Sequence, residues 1–292
     1  MTRTGYLALL AAVTFATCSR PTPEQQIVND AAAALGGAER ILAVKTIVME
    51  GEGTQYNLGQ DVVPNASGQT FTVTEYKRSI DVPAGRARTE LTRQPNFTFF
   101  QGPAAQRQVQ GIDGAVGYNV APNGTANRIP DPAVSDRRAE LLHHPITAVR
   151  AALDPMAALS NPRTDGGQSI VDVSTPSGPK FTLAIDAATK LPSRVTTMTD
   201  NTNLGDVAFE TSFADYQDVS GLKLPMRISS KIDKYPNTDI SIATRAPCRV
   251  GLPSAPTLYA TSPSTPKSWF CGAAGGTPAG TTATRVCVCR AR

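Results

Sequence analysis

The sequence predicts an α+β domain: a single curved antiparallel β-sheet, or half-open barrel, with an N-terminal helix and a central helical hairpin closing one face. Three observations predict this fold class. About ten segments alternate, imperfectly, between apolar and polar residues. Helical spacing is confined to the N-terminus and to one central region. The elements come in runs of strands and not in alternating strand–helix units, which argues against a parallel sheet.

The N-terminal helix is predicted over residues 24–44, where Val28, Ala31 and Leu35 recur at helical spacing. The Gly36-Gly37 pair is expected to divide it into two pieces, because glycine is a poor helix former. From Lys45 onward the apolar residues repeat every second position. The chain therefore changes there from helix to strand.

A first run of strands is predicted at residues 46–53, 69–78, 85–92, 108–112 and 115–120. Asp113-Gly114 separates the last two at the length of a tight hairpin turn. Helical spacing returns at residues 135–144 and 146–159, with Pro145 between the two pieces. A second run of strands is predicted at residues 168–174, 180–186, 192–198, 206–215, 224–230 and 239–244.

Residues 1–17 have the features of a secretory signal: one arginine, about ten mostly apolar residues, and small residues before a cysteine. The stretch is too short to span a bilayer as a helix. Phe15-Ala16-Thr17-Cys18 resembles a bacterial lipobox, which makes Cys18 the predicted lipid attachment point. A plain cleaved signal and an uncleaved anchor remain alternatives. Residues 18–23 are predicted to be a tether, and the body to be periplasmic or anchored to the outer membrane.

The charge is distributed unevenly along the chain. The formal net charge is +4, but residues 248–292 contain five basic residues and no acid, so residues 1–247 carry 23 basic against 24 acidic side chains. A body with a net charge of −1 is not expected to bind nucleic acid. The last 45 residues also hold four of the five cysteines. We interpret them as a frameshifted or disordered tail, with a disulfide-stabilised minidomain as the third alternative.

Few residue types that carry chemistry are present. With two histidines in the chain, at His143 and His144, a multi-histidine metal centre cannot be assembled. Adjacent helical residues point about 100° apart, which favours a structural role near a helix end over chelation. No nucleophile elbow and no phosphate-binding loop occur. The sequence therefore predicts no catalytic residue, no metal site and no cofactor.

Three segments together resemble LolA-like periplasmic domains, the outer-membrane lipoprotein-sorting superfamily. They are residues 34–46 (ALGGAERILAVKT), 183–194 (LAIDAATKLPSR) and 213–227 (FADYQDVSGLKLPMR). The resemblance covers residues 24–247. It implies a half-open barrel that takes acyl chains on its concave side. More narrowly, the body is similar to the region that precedes metallo-β-lactamase-fold hydrolase domains in some exported proteins, whose zinc motif has no counterpart here.

An apolar pocket on the concave side is the remaining candidate site. Its predicted lining consists of Phe71, Val73, Phe99, Tyr118, Phe181, Leu183, Phe209 and Phe213. The same residue types would equally make an ordinary filled core. Arg86 and Arg88, with Arg93 just beyond, are positioned to meet an anionic head group or to form a solvated polar face.

Three functions stay open on the sequence alone. The first is a noncatalytic exported domain that binds a hydrophobic ligand or serves as an accessory module, with the membrane reached through a lipid anchor. The second is the N-terminal fragment of a metallo-β-lactamase-fold hydrolase whose catalytic domain is missing. The third is an envelope scaffold without a ligand.

Overall fold

The structure is a computed structural model that describes residues 20–57, 68–98, 100–176, 178–201, 205–242 and 286–290. The helices are α1 (Pro23–Ala34), α2 (Ala38–Ala43), α3 (Asp131–Ala139) and α4 (Pro145–Ala152), with a 3-10 turn at Glu140–Leu142 between the last two. The strands are β1 (Val44–Asn57), β2 (Gln69–Asp81), β3 (Arg86–Pro95), β4 (Gln106–Asp113), β5 (Val116–Val120), β6 (Ala126–Arg128), β7 (Ala158–Asp165), β8 (Gln168–Ser174), β9 (Lys180–Asp186), β10 (Pro192–Asn201), β11 (Gly205–Val219), β12 (Leu222–Ile232), β13 (Tyr235–Ile242) and β14 (Val286–Arg290).

Two antiparallel meanders share one sheet. Strands β1 to β6 run outward in sequence order, and β7 to β13 run back inward until β13 pairs with β1. The described strands β6 and β7 are therefore the two ends of this strand order, and they are not paired with each other. Helices α1 and α2 precede the first meander, and α3 and α4 lie between the two meanders. This open antiparallel sheet with a few helices confirms the predicted fold class.

The helical segment between β6 and β7 must connect one edge of the sheet to the other, and α3 packs on the sheet as it does so. Gly117 of β5 faces Ile129 and Val134, which approach so closely that a Cβ atom on Gly117 would lie 2.7 Å from the Ile129 Cδ1 atom. We call this covered side the inner face. The antiparallel pairing of the strands places four buried residues of the main core on this same inner face: Ile112, Ala87, Ile80 and Ile47.

Helix α1 begins with a capping box. Thr22 Oγ1 accepts a hydrogen bond from the Gln25 amide at 3.4 Å, and Gln25 Oε1 accepts one from the Thr22 amide at 3.0 Å. Pro23 fits the first helical position, where no amide donor is needed. The buried side of α1 then packs against β7, β8 and α4.

The glycine pair between α1 and α2 contacts the turn between β11 and β12. Gly36 and Gly37 adopt φ values of 119° and 103°, a region that favours glycine. A Cβ atom on Gly36 would collide with the carbonyl oxygen of Gly221, and the Lys223 amide donates to the Leu35 carbonyl at 2.9 Å. Two of the three segments that carry the family resemblance therefore touch each other in the fold.

The central helical prediction is too long. Helix α4 ends at Ala152, and residues 158–165, whose first two positions were predicted as helix, form the edge strand β7. Most side chains of β7 are exposed, so this strand lacks the apolar alternation on which the prediction depended. The short edge strand β6 was missed for the same reason.

The end of β13 leaves part of β1 for another partner. Strand β13 pairs with β1 from Gly51 to Gln55. On the remaining N-terminal part of β1, β14 pairs antiparallel from Val44 to Met49. Apart from β14, the predicted tail at 248–292 lies outside the described residues, as do the predicted signal at 1–17 and Cys18. Within the part of the chain that the structure describes, no helix is long and apolar enough to cross a membrane.

Candidate functional site

The structure places six of the eight predicted pocket residues on the inner face. They are Phe71, Val73, Phe181, Leu183, Phe209 and Phe213. Tyr118 lies on the opposite face of the sheet, where its ring covers Gly111 beside Arg88. Phe99 and the predicted lipid attachment point Cys18 lie outside the described residues.

The six inner-face residues do not form one continuous lining. Val73, Phe181, Leu183 and Phe213 are 0 to 6% exposed and belong to the main core, so other side chains of the protein cover them. Phe209 is half-buried against the His143 ring, with ring centroids 4.8 Å apart. The residues left for a separate aromatic site are therefore those around Phe71.

His143 fastens the helical segment to the inner face. Its Nδ1 lies 2.8 Å from the Thr211 hydroxyl and its Nε2 lies 3.0 Å from the Thr197 hydroxyl, so one ring nitrogen donates and the other accepts. Burial, together with the positive charge of Arg78, lowers the pKa of His143 to about 3. The ring is therefore neutral near pH 7 and acts as a link between the 3-10 turn and strands β10 and β11.

His144 has a different structural task. Its Nδ1 accepts a hydrogen bond from the Ile146 amide at 3.2 Å, which caps the N-terminus of α4. Burial and the charge of Arg78 also lower the pKa of His144 to about 3. The two imidazoles thus serve two different elements and do not converge on one ion.

A second polar cluster lies between the helical segment and the first meander. Arg78 Nη2 donates to the Glu140 carbonyl oxygen at 2.7 Å. Arg137 Nη1 donates to the Tyr118 carbonyl oxygen at 2.8 Å, and its Nη2 donates to Gln110 Oε1 at 3.1 Å. Burial raises the pKa of the Glu140 carboxyl, against the lowering effect of the two arginines. The void among these groups measures about 10 Å³, which limits it to a single water molecule.

Three phenylalanines form an aromatic cluster near the ends of β2 and β3. Phe71, Phe97 and Phe100 pack edge to face, with ring centroids 5.3 to 5.7 Å apart. Phe71 is 2% exposed, whereas Phe97 and Phe100 are half-buried. We call these three rings the Phe71 cluster. Arg78, which contacts the helical segment, lies seven positions after Phe71 on β2, roughly 20 Å along the strand.

The guanidinium of Arg93 completes this cluster. Its Cζ atom lies 4.2 Å from the centre of the Phe71 ring, a cation–π contact. Arg93 Nε donates to Gln106 Oε1 at 2.8 Å and Nη1 donates to Gln55 Oε1 at 3.1 Å. Partial burial lowers the pKa of Arg93. Hydrophobic and cationic groups are thus held side by side at one end of the inner face.

The other two arginines of the sequence prediction are differently placed. Arg86 and Arg88 lie on the outer face, where Arg86 pairs with Asp81 at 2.7 Å and Arg88 pairs with Glu90 at 2.8 Å. Arg93 forms no ion pair with any carboxylate that the structure describes. Side chains alternate between the two faces of β3, so the sequence predicts that Arg93 lies on the opposite face from Arg86 and Arg88. It does not predict which of the two faces carries the aromatic rings.

A cleft of about 490 Å³ lies between α1 and the connection from α4 to β7. Glu24, Asn29 and Asp154 are among its polar lining residues, and Val28 and Leu153 are apolar ones.

Across the described ranges, no three His, Cys, Asp or Glu side chains are grouped so that they could hold a metal ion.

Comparison with models of protein families finds no match, and comparison with curated proteins finds none either. Solved structures that are similar include a LolA superfamily protein from Nitrosomonas europaea, at 10% identity and a TM-score of 0.41 over 75% of this chain and 90% of that one. A DUF1329 family protein from Desulfovibrio piger matches at 12% identity and a TM-score of 0.39, over 76% of this chain and 91% of that one. LprF from Mycobacterium bovis matches at 13% identity and a TM-score of 0.29, over 77% and 94%.

Proposed function

We propose that this chain is an exported, noncatalytic envelope domain that binds an acyl- or lipid-like hydrophobic ligand at the Phe71 cluster. The observation that carries the proposal is the pair of half-buried rings, Phe97 and Phe100, packed on a fully buried Phe71. Partly exposed aromatic surface of this kind is more costly in water than on an apolar ligand. A bound acyl chain would cover it.

The location of the cluster supports ligand access. Most of the inner face is filled by the main core and covered by helices that are linked to the sheet through His143 and Arg137. A ligand that entered under those helices would have to break buried hydrogen bonds. A ligand at the Phe71 cluster need not break them, because none of these hydrogen bonds involves a residue of the cluster.

Export and membrane attachment belong to the same proposal. The signal at residues 1–17 would direct export, and a lipid on Cys18 would then hold the domain at the membrane through the tether, whose last residue, Pro23, is the first residue of α1. The outer membrane is the proposed site of anchoring. Mass spectrometry of the mature N-terminus tests this, since an unmodified residue other than Cys18 at that terminus would contradict lipid attachment.

A fluorescence displacement assay tests ligand binding. Delipidated protein is titrated with the uncharged reporter N-phenyl-1-naphthylamine, and lauric acid and 1-dodecanol are then added as competitors. We expect saturable displacement that is weakened about tenfold or more by Phe97→Ser or Phe100→Ser, since each change removes apolar contact area. Met198→Ser is the matched control, because Met198 is 64% exposed and lies on the outer face of β10. Absence of saturable binding by the wild-type protein would favour the scaffold alternative.

The abrupt change of composition after β13 favours a second proposal. The last acidic residue of the chain is Asp239 in β13, and the stretch 248–292, which holds four of the five cysteines and no acid, begins six residues after Ile242 ends that strand. We propose that the natural continuation beyond residue 247 is a linker and a metallo-β-lactamase-fold hydrolase, with the present domain as its accessory module. Reading the gene in its other two frames past codon 247 tests this proposal, and finding no zinc motif there would contradict it.

A further inference from the structure

Arg93 is a cation held in place by neutral groups. Gln106 and Gln55 accept from its Nε and Nη1 atoms, and Phe71 covers one face of the guanidinium. Gln108, with its amide oxygen turned toward Arg93, accepts from Nε at 3.2 Å and from Nη2 at 3.3 Å. Three glutamines and an aromatic ring position the charge, but none of them neutralises it.

Two donors of this guanidinium remain available. Arginine has five N–H groups in a planar fork. Gln106 and Gln108 share the single N–H of Nε, Gln108 also accepts one from Nη2, and Gln55 accepts one from Nη1. Among the described residues no acceptor is placed on the second N–H of either Nη atom. One N–H on each Nη atom is thus left, and N–H groups of this planar fork are suited to the oxygens of a carboxylate or phosphate.

The neighbourhood explains why an anion alone is not the best fit. A carboxylate bound to Arg93 brings its substituent close to the Phe71 cluster, since the guanidinium lies 4.2 Å from the centre of the Phe71 ring. An inorganic anion would leave Phe97 and Phe100 in contact with water. The arrangement therefore suits a molecule with an anionic head and an apolar chain.

We propose that Arg93 binds the carboxylate or phosphate head of a single-chain amphiphile whose acyl chain lies on Phe71, Phe97 and Phe100. This inference rests on the proposed function, because it places the head group of the same ligand. It adds a preference for anionic over neutral ligands of equal chain length. The preference arises from Arg93 and from neither Arg86 nor Arg88, whose charges are already paired on the outer face.

Matched ligands test the head group. Laurate, dodecyl phosphate and 1-dodecanol carry the same twelve-carbon chain, and inorganic phosphate carries no chain. In displacement of N-phenyl-1-naphthylamine we expect laurate and dodecyl phosphate to bind about tenfold more tightly than 1-dodecanol, the size of a charge-assisted bidentate hydrogen bond at a half-exposed site. Inorganic phosphate at millimolar concentration should not displace the reporter, and its doing so would overturn the claim that head and chain bind together.

Variants identify the residue. Arg93→Gln should bring laurate down to the affinity of 1-dodecanol and leave 1-dodecanol unchanged, whereas Arg93→Lys should keep part of the preference because it keeps the charge without the fork. Arg88→Gln is the matched control on the same strand and should keep the full preference. If Arg93→Gln does not fold, the wild-type preference must still decrease with added salt, and a preference insensitive to salt would overturn the proposal.

The outcomes separate the two proposals. Equal binding of laurate and 1-dodecanol by the wild-type protein would overturn the head-group site and leave the hydrophobic ligand site intact. No binding of any twelve-carbon ligand would overturn the proposed function, and the head-group site with it.

Discussion

Replacing His143 by glutamine removes a titrating group while keeping a donor and an acceptor beside Thr197 and Thr211. The folded-state pKa of His143 is about 3, whereas an unfolded chain has a histidine pKa of about 6.5. The folded-state value is depressed, so the stability that this neutral ring contributes is fully present above pH 6.5. It is lost as the pH falls from 6.5 toward 3, because the unfolded chain then binds a proton that the folded protein excludes.

The size of the effect follows from linkage. A pH of 5 lies about 1.5 units below the histidine pKa of the unfolded chain. Protonation of the unfolded chain therefore lowers the free energy of unfolding by about 2 kcal/mol for each buried histidine. The exact folded-state pKa hardly matters there, because a value near 3 is already well below pH 5. Since His144 behaves alike and the chain has two histidines, the pair should cost about 4 kcal/mol.

Urea unfolding at pH 7.5 and pH 5.0, followed by far-ultraviolet circular dichroism, measures this. Between these two pH values the wild-type protein should lose about 2 kcal/mol more unfolding free energy than His143→Gln. The raised pKa of Glu140 has the opposite sign, but it is common to both proteins and cancels in the comparison. Met198→Ala, on the exposed side of β10, should keep the wild-type pH dependence. The same pH dependence in His143→Gln and the wild type would refute a buried, neutral His143.

Three further predictions concern the framework. Gly36→Ala should destabilise the protein by about 1–3 kcal/mol more than Gly37→Ala in denaturant unfolding, because both need positive φ but only Gly36 meets a carbonyl oxygen; equal losses would contradict this close contact. Arg150→Met should lower the unfolding free energy by about 1 kcal/mol, because the guanidinium donates to the last carbonyls of α2 at 2.5 to 3.5 Å, and unchanged stability would show that this cap contributes nothing. Deleting residues 243–292 should speed amide hydrogen exchange in Val44–Met49 about tenfold or more, because that part of β1 loses β14, and unchanged exchange rates would contradict the pairing.

Local patterns predicted most of the framework because hairpins are local in sequence. Asp113-Gly114 marks the turn between β4 and β5, and Gly114 has the φ of 57° that such a turn requires. Edge strand β7 was not predicted because most of its side chains are exposed, so its sequence lacks the alternation of apolar and polar residues that indicates a strand.

The face of a strand was harder to predict than the strand itself. In β5 the large aromatic Tyr118 is the obvious candidate for the covered side, yet the structure turns Gly117 toward α3. The small residue makes room for Ile129 and Val134, which sequence reasoning had not connected with β5. Which side of a strand is inner therefore depended on a helix more than ten residues away.

The sequence by itself determined the class of the domain, the order of its helices and of the strands other than β6, β7 and β14, the near-neutral charge of the body and the change in composition after β13. Those properties are local or additive along the chain. Only the tertiary structure decided that β13 pairs with β1, that Gly36 meets Gly221, and that Arg93 rather than Arg86 or Arg88 lies on the aromatic rings. Each of these depends on segments far apart in sequence, whose pairing is set by packing and strand register and leaves no periodic signal in the chain.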